Sequence, residues 1–240
     1  MPLAADSESS VAMEAVLVLP FGDSAVLVEL GGEPGIETSL RVQALARYLA
    51  RATGRLPGWE RPVPAANSVL LPIDPVEPGV EAAVSRVEDL LADILSSLGD
   101  ERADVEEGGV IEIAVLYGGP DGPDLEAVAR MTGLSSADVF EAHAATTYTA
   151  LFLGFVPGFA YLGPLTPALV VARRSEPRPS VPAGSVAIAG PHTAIYPIDS
   201  PGGWWILGRT AARLWDPLRE PPAMLAPGAR VRFIPERRNS

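Results

Sequence analysis

Apolar residues run along the first third of the chain in two alternating blocks. Residues 15–19 and 25–30 are rich in valine and leucine, and Pro20-Phe21-Gly22-Asp23-Ser24 between them predicts a hairpin connection. Ile36, Leu40, Leu45 and Leu49 then fall close to one face of a helix over 36–51. A strand over 68–73 follows. Val80, Val84, Val87, Leu91, Ile94 and Leu98 recur at spacings of three and four, the clearest helical pattern in the protein, with Glu77, Glu81, Glu88 and Asp93 as its wet side. Strands and helices in this order predict an α+β unit, and the acidic stretch 99–109 reads as a solvated linker.

The pattern changes after that linker. Residues 110–117 predict a strand. Pro123-Asp124 opens a short helix through Met131 that Gly133 stops, and Ser135-Ser136-Ala137-Asp138 has the form of a capping box for a second helix reaching His143. Beyond Tyr148 the apolar segments are short and interrupted by glycine or proline at intervals of roughly eight to twelve residues, which favours a closed or partly closed β barrel. Gly154-Phe155-Val156-Pro157-Gly158-Phe159 reads as a preset turn between two strands, and Ser200-Pro201-Gly202-Gly203-Trp204 reads the same way. The expected organisation is an α+β N-terminal domain over 1–103 and a mainly β barrel domain over 104–240.

With 240 residues, 48% of them hydrophobic, the chain is long enough for two such cores. The polar, acidic start and the lack of any apolar run of membrane-spanning length predict a soluble cytoplasmic protein. Cysteine is absent, which excludes disulfides and thiolate chemistry; lysine is absent too, which excludes Schiff bases and lysine-dependent phosphate loops. With only His143 and His192 as imidazole ligands, no metal is expected to be held by this chain alone. Residues 1–120 hold 20 acids against 7 arginines, an imbalance that argues against nucleic acid. From residue 151 onward there are 10 arginines against 5 acids, which suits a small anionic ligand or an acidic partner surface, or simply solvated arginines.

Candidate chemistry is concentrated in the second half. His143 ends a predicted helix, where an imidazole either packs in the core or moves a proton near neutral pH. Arg178 lies between two prolines that can aim its guanidinium fork at a carboxylate or phosphate, or it is an exposed loop arginine. Arg209 follows the apolar run after Trp204 and either meets a ligand or ties a strand end to a loop. Ser185, in Pro182-Ala183-Gly184-Ser185, can place a hydroxyl and backbone N–H groups around an anion, but it lacks the setting of a hydrolase triad. Tyr161, Tyr196 and Trp204 either pack or present polar tips at a pocket mouth.

The strings GFVPGFAYLG, PRPSVPAGSVAIAG, IYPIDSPGGWWILGRT and the closing PGARVRFIP resemble the allophanate hydrolase subunit 1 family, which includes the 5-oxoprolinase B-type subunits and a sporulation-kinase inhibitor. The resemblance is strongest over residues 117–235. It implies a cyclophilin-like barrel and a functional His143 within EAHAATTY; together with the residues read above, the expected catalytic set is His143, Arg178 and Arg209, with Ser185, Tyr161, Tyr196 and His192 at the substrate. It also implies a cytoplasmic heteromer with an allophanate hydrolase subunit 2 type partner (the C-type component of 5-oxoprolinase) and a third, A-type component. The implied reaction is ATP-dependent opening of 5-oxoproline to glutamate, with ATP and magnesium belonging to the complex. The family also allows a histidine-kinase regulator gripping its target through Trp204, Trp205 and Phe159, or a carboxyltransferase half related to biotin-dependent urea carboxylases. Without lysine the chain has no biotinylation site, and the Ser-Ser-Lys machinery of amidases is excluded. His192 stands where the family usually has glutamine, and Ala194 where glycine is common.

Overall fold

Alternation of period two builds the first sheet. In the computed structural model, which describes residues 16–32, 35–97 and 109–236, β1 (Val16–Pro20) and β2 (Ala25–Leu30) pair as the expected hairpin. The chain continues through α1 (Ile36–Thr53), β3 (Val63–Pro64), β4 (Ser68–Pro72) and α2 (Val80–Ser97), and the four strands form an antiparallel sheet ordered β1-β2-β4-β3. Val26, Val28, Val69 and Leu71 share one sheet face and are buried against Val42, Leu45 and Leu49 of α1 and Val87 and Leu91 of α2. Each such side chain contributes about 1.5–3 kcal/mol when fully buried. The expectations placed on residues 1–15 and 98–108 lie outside the described residues.

The buried stripe of α1 differs from the one expected. Ile36 is exposed, whereas Thr38, Ser39, Gln43 and Thr53 are buried. A second surface meets this side of the helix: the Ser39 hydroxyl donates to the Leu151 carbonyl at 2.7 Å and the Gln43 amide donates to the same oxygen at 3.1 Å. Hydrophobic periodicity is blind to a contact made through polar side chains, and these bonds attach the first unit to the second.

That second unit runs through β5 (Ile111–Tyr117), α3 (Leu125–Thr132), α4 (Ser136–Ala145), β6 (Thr147–Leu153), β7 (Ala160–Gly163), β8 (Arg178–Val181), β9 (Ser185–Ala189), β10 (His192–Ile195), β11 (Ser200–Gly202), β12 (Trp205–Arg209) and β13 (Arg230–Pro235). Seven of these strands close a barrel in the order β10-β7-β6-β13-β5-β12-β9, so the expected fold class is the one observed. Closure removes free strand edges. The expected caps are present: Gly133 ends α3 at φ 72°, and Ser135 and Asp138 exchange side-chain and backbone hydrogen bonds at the start of α4.

The 154–159 segment is the turn it was expected to be, joining β6 to β7. Residues 200–204 are not. Ser200–Gly202 is a short strand, β11, paired with β8 across an irregularity at Pro201, where the missing N–H costs no ladder bond. Gly202 belongs there because a Cβ would collide with the Tyr196 hydroxyl.

Gly184 sits at φ +82° against the Thr210 carbonyl, leaving no space for a Cβ. Gly184→Ala is expected to destabilise the protein by about 2 kcal/mol or more, read as a lower urea midpoint at unchanged slope.

Candidate functional site

Strands β9, β10 and β12 alternate between two apolar faces. Val186, Ile188 and Ile195 point into the main barrel core, whereas Ala187, Ala189, Ala194 and Ile206 face a second cluster with Phe159, Tyr196 and Trp204. The small alanines let large rings lie against the sheet. Tyr161 stacks on Phe152 at 4.3 Å and meets the edges of Phe159, Trp204 and His192 at 5.0, 5.7 and 5.8 Å. Tyr196 meets Phe159 at 5.4 Å.

Arginines border this aromatic face. Burial raises the Tyr161 and Tyr196 phenols above their ordinary pKa, and Arg173 pulls both back toward ionisation, with Arg178 doing the same for Tyr196. Arg178 is held by Asp124, whose carboxylate accepts its Nη2–H at 2.7 Å and lies 3.6 Å from Arg174 Nη1. The other Asp124 oxygen accepts the Ile206 N–H at 2.8 Å, and the Asp124 N–H donates to the Ile206 carbonyl at 3.0 Å. Asp124 is the residue before α3, but it does not cap that helix with its side chain. Instead it clamps β12 and β8 together and aims the Arg178 fork. Among the described residues, Arg178 Nη1 and His192 Nδ1 are buried without a hydrogen-bond partner.

His143 lies elsewhere. It is fully buried on the opposite face of the barrel sheet, stacked on Phe233 at 4.7 Å. Thr193 donates its hydroxyl hydrogen to the Ala187 carbonyl at 3.1 Å and so accepts from His143 Nε2–H at 2.8 Å, which leaves Nδ1 to accept from the Tyr117 hydroxyl at 2.7 Å. Burial pushes the imidazole pKa down to about 3 and the Tyr117 phenol far up. Both nitrogens are engaged by a neutral ring.

Arg209 and Ser185 oppose one another across β12 and β9. Arg209 is exposed, donates its Nε–H to the Ala183 carbonyl at 3.2 Å, and lines a groove of about 820 Å³ together with Arg213, Trp215, Asp121, Asp199 and Glu236. The N–H groups expected around an anion at Ser185 are already in use. Ala183 donates to Asp199 at 2.7 Å, Gly184 to the Tyr196 carbonyl at 2.7 Å, and Ser185 to the Pro182 carbonyl at 3.2 Å. A turn whose amides are engaged inside the fold is not an anion nest.

The structure therefore brings together Tyr161, Tyr196, His192 and Arg178, sets Arg209 and Ser185 beside the groove, and encloses His143. Asp124, Arg173 and Thr193 were not legible as site residues. Pro123-Asp124 carried a helix-start signal, and nothing local links Asp124 to an arginine 54 positions away.

Residues 16–225 match the carboxyltransferase domain, subdomain C and D. The chain is 40% identical to the 5-oxoprolinase B-type subunit of Escherichia coli O157:H7, covering 90% of this chain and 94% of that one. It is 37% identical to the corresponding 5-oxoprolinase protein of Bacillus subtilis (strain 168), covering 89% and 90%. Among solved structures, TTHA0988 superposes with a TM-score of 0.74 at 40% identity over 91% of this chain, which spans only 41% of that longer chain. The fold alone is shared with the urea amidolyase of K. lactis, at TM-score 0.72 and 20% identity. Among the described residues no helix is long and apolar enough to cross a membrane. With the matched region spanning nearly all of the described residues, and with the motif strings that resembled allophanate hydrolase subunit 1 falling between the end of β6 and β13, the chain belongs to the carboxyltransferase domain, subdomain C and D, family, alongside the B-type subunits of 5-oxoprolinase.

Proposed function

We propose that this chain is the B-type subunit of a cytoplasmic, ATP-dependent 5-oxoprolinase that opens 5-oxoproline to glutamate together with a C-type partner and a third, A-type component. The observation that carries this reading is the 34–40% identity to three proteins named as 5-oxoprolinase subunits of the B type, with each alignment spanning about nine-tenths of this chain.

The aromatic face with its arginine border is the part of this chain suited to the substrate. A five-membered lactam is flat and apolar at its methylenes, which suits packing on the half-buried Tyr161, and its carboxylate suits the exposed Arg173 beside it. An unstrained lactam is a poor electrophile, so coupling to ATP serves to activate the amide oxygen. ATP and magnesium are assigned to the assembled complex, because this chain has no lysine for a phosphate loop and the 183–185 amides are already engaged. His143 is assigned to holding the barrel, and Arg209 to the separate groove.

Turnover of ATP by the co-expressed subunits, with and without 5-oxoproline, tests this. Stimulated turnover is expected, with Arg173→Ala raising KM for 5-oxoproline about tenfold while kcat changes less, the signature of a lost ground-state carboxylate contact. A stable complex that shows no response to 5-oxoproline would sink the proposed substrate.

A further inference from the structure

The groove lined by Arg209 carries charges of both signs, and some of them are already satisfied. Arg213 pairs with Asp216 at 3.2 Å, and Asp121 has interactions of its own. Three other groups in the lining remain open. Arg209 uses its Nε–H on the Ala183 carbonyl, and its two Nη groups have no partner among the described residues. Asp199 accepts the Ala183 N–H with Oδ1 alone, so its second oxygen is open. The Glu236 side chain makes no hydrogen bond or ion pair with the described residues. One guanidinium and two carboxylates therefore line one groove without pairing with each other. The walls are held in place from within the fold. A Cβ on Gly184 would stand only 3.5 Å from Arg209 Cγ, so the arginine stem lies close over a residue that has none. Arg219 closes the 213–222 loop by donating to the carbonyls of Arg213, Leu214, Pro221 and Pro222 at 2.9–3.4 Å. Polar groups fixed in advance bind a ligand at a smaller entropic cost, and the volume of about 820 Å³ is that of a small-molecule site.

We propose that this groove binds a small zwitterion, an amino acid whose carboxylate takes the Arg209 fork and whose ammonium group lies against Glu236 and Asp199, with its methylenes on Ile198 and Trp215. A planar guanidinium with both Nη groups open suits a carboxylate in two-point contact. A simple anion fits worse, because the two open carboxylates repel it. A simple cation leaves the Arg209 fork unsatisfied. Only a ligand with both charges answers both poles. The reaction proposed above connects this site to turnover. 5-Oxoproline has a carboxylate and a neutral lactam N–H, whereas the opened product, glutamate, has a free ammonium group. The groove therefore takes product in preference to substrate, apart from the aromatic face that takes the substrate. The link to turnover rests on the reading above, and the amino-acid site does not.

Calorimetric titration of the full chain with glutamate and with N-acetylglutamate, which keeps both carboxylates but has no ammonium group, tests the site. Glutamate is expected to bind at least about tenfold more tightly than its acetylated form. Arg209→Gln and Glu236→Gln are each expected to weaken glutamate by at least about tenfold, while any binding of 5-oxoproline is unchanged by either. If Arg209→Gln alters the fold, Glu236→Gln decides, since it breaks no side-chain contact among the described residues. Equal affinity for the two ligands, lost with Arg209→Gln, makes the groove an anion site and overturns the proposal. Absence of glutamate binding overturns it too, as does binding that neither substitution weakens. Glutamate binding that follows these two residues, in a protein whose complex ignores 5-oxoproline, overturns the reaction and leaves the site standing.

Discussion

Asp124→Ala is expected to lower the unfolding free energy by about 3 kcal/mol, because breaking a buried ion pair leaves an uncompensated charge in poor solvent. The figure sits at the lower end of the usual range because the Arg178 and Arg174 side chains remain 24% and 27% exposed and keep some solvation. The substitution also removes the acceptor for the Ile206 N–H, so β12 loses one of the two bonds that hold it to the start of α3, and only the Asp124 N–H to the Ile206 carbonyl remains. Asp124→Asn keeps an acceptor oxygen and loses the charge, and should cost about half as much. Urea unfolding monitored by tryptophan fluorescence is suited to the measurement, since Trp204 and Trp205 flank the clamp. A loss below about 1 kcal/mol would show that the pair behaves as a surface salt bridge.

The second large effect is expected at His143. Replacing it with alanine leaves the Tyr117 hydroxyl without its acceptor, leaves the Thr193 hydroxyl only its bond to the Ala187 carbonyl, and opens a cavity against Phe233, a combined cost of about 3–4 kcal/mol. The pH dependence separates this role from a catalytic one. The folded-state pKa is depressed to about 3 from an ordinary 6.5, so the fold favours the neutral ring. Between those values the unfolded chain binds a proton that the folded chain refuses. Stability contributed by this group is therefore complete above about pH 6.5 and falls as the pH drops, by at most about 1.4 kcal/mol per pH unit. His143→Gln keeps hydrogen-bonding capacity but cannot titrate. The wild type should therefore show a steeper loss below pH 6.5 than the glutamine variant, with contributions from the carboxylates common to both cancelling. Parallel slopes would mean that solvent reaches the imidazole and that proton transfer by His143 has to be reconsidered.

Local signals were readable where they depend on neighbours in the chain. The capping box at Ser135 and Asp138, the stop at Gly133, the hairpin around Gly22 and the turn at 154–159 each involve residues within a few positions of one another. The alternation of Val16 to Leu30 and the three-and-four spacing of α2 are likewise local, and they correctly placed a sheet under helices. The motif strings pointed to the family because they pack several backbone requirements into short order, such as the glycine at 202 that makes room for the Tyr196 hydroxyl.

Other features were hidden for physical reasons. Ser200–Gly202 carries turn residues, yet pairing with β8 makes it a strand, because hydrogen bonding to a distant segment outweighs weak local preference. The polar stripe of α1 is buried only because the Leu151 carbonyl is there to accept from it. The chain by itself determined two unlike units, one with helices on a sheet and one of short strands, and limited the chemistry to arginine, histidine, carboxylates and hydroxyls. Only the tertiary structure decided which of these meet: it enclosed His143 between Tyr117 and Thr193, joined Asp124 to Arg178, engaged the amides beside Ser185, and set Arg209 and Glu236 along one groove without pairing them. Those outcomes depend on contacts between residues far apart in sequence, whose energies arise only when barrel closure brings the partners within hydrogen-bonding distance and removes the water between them.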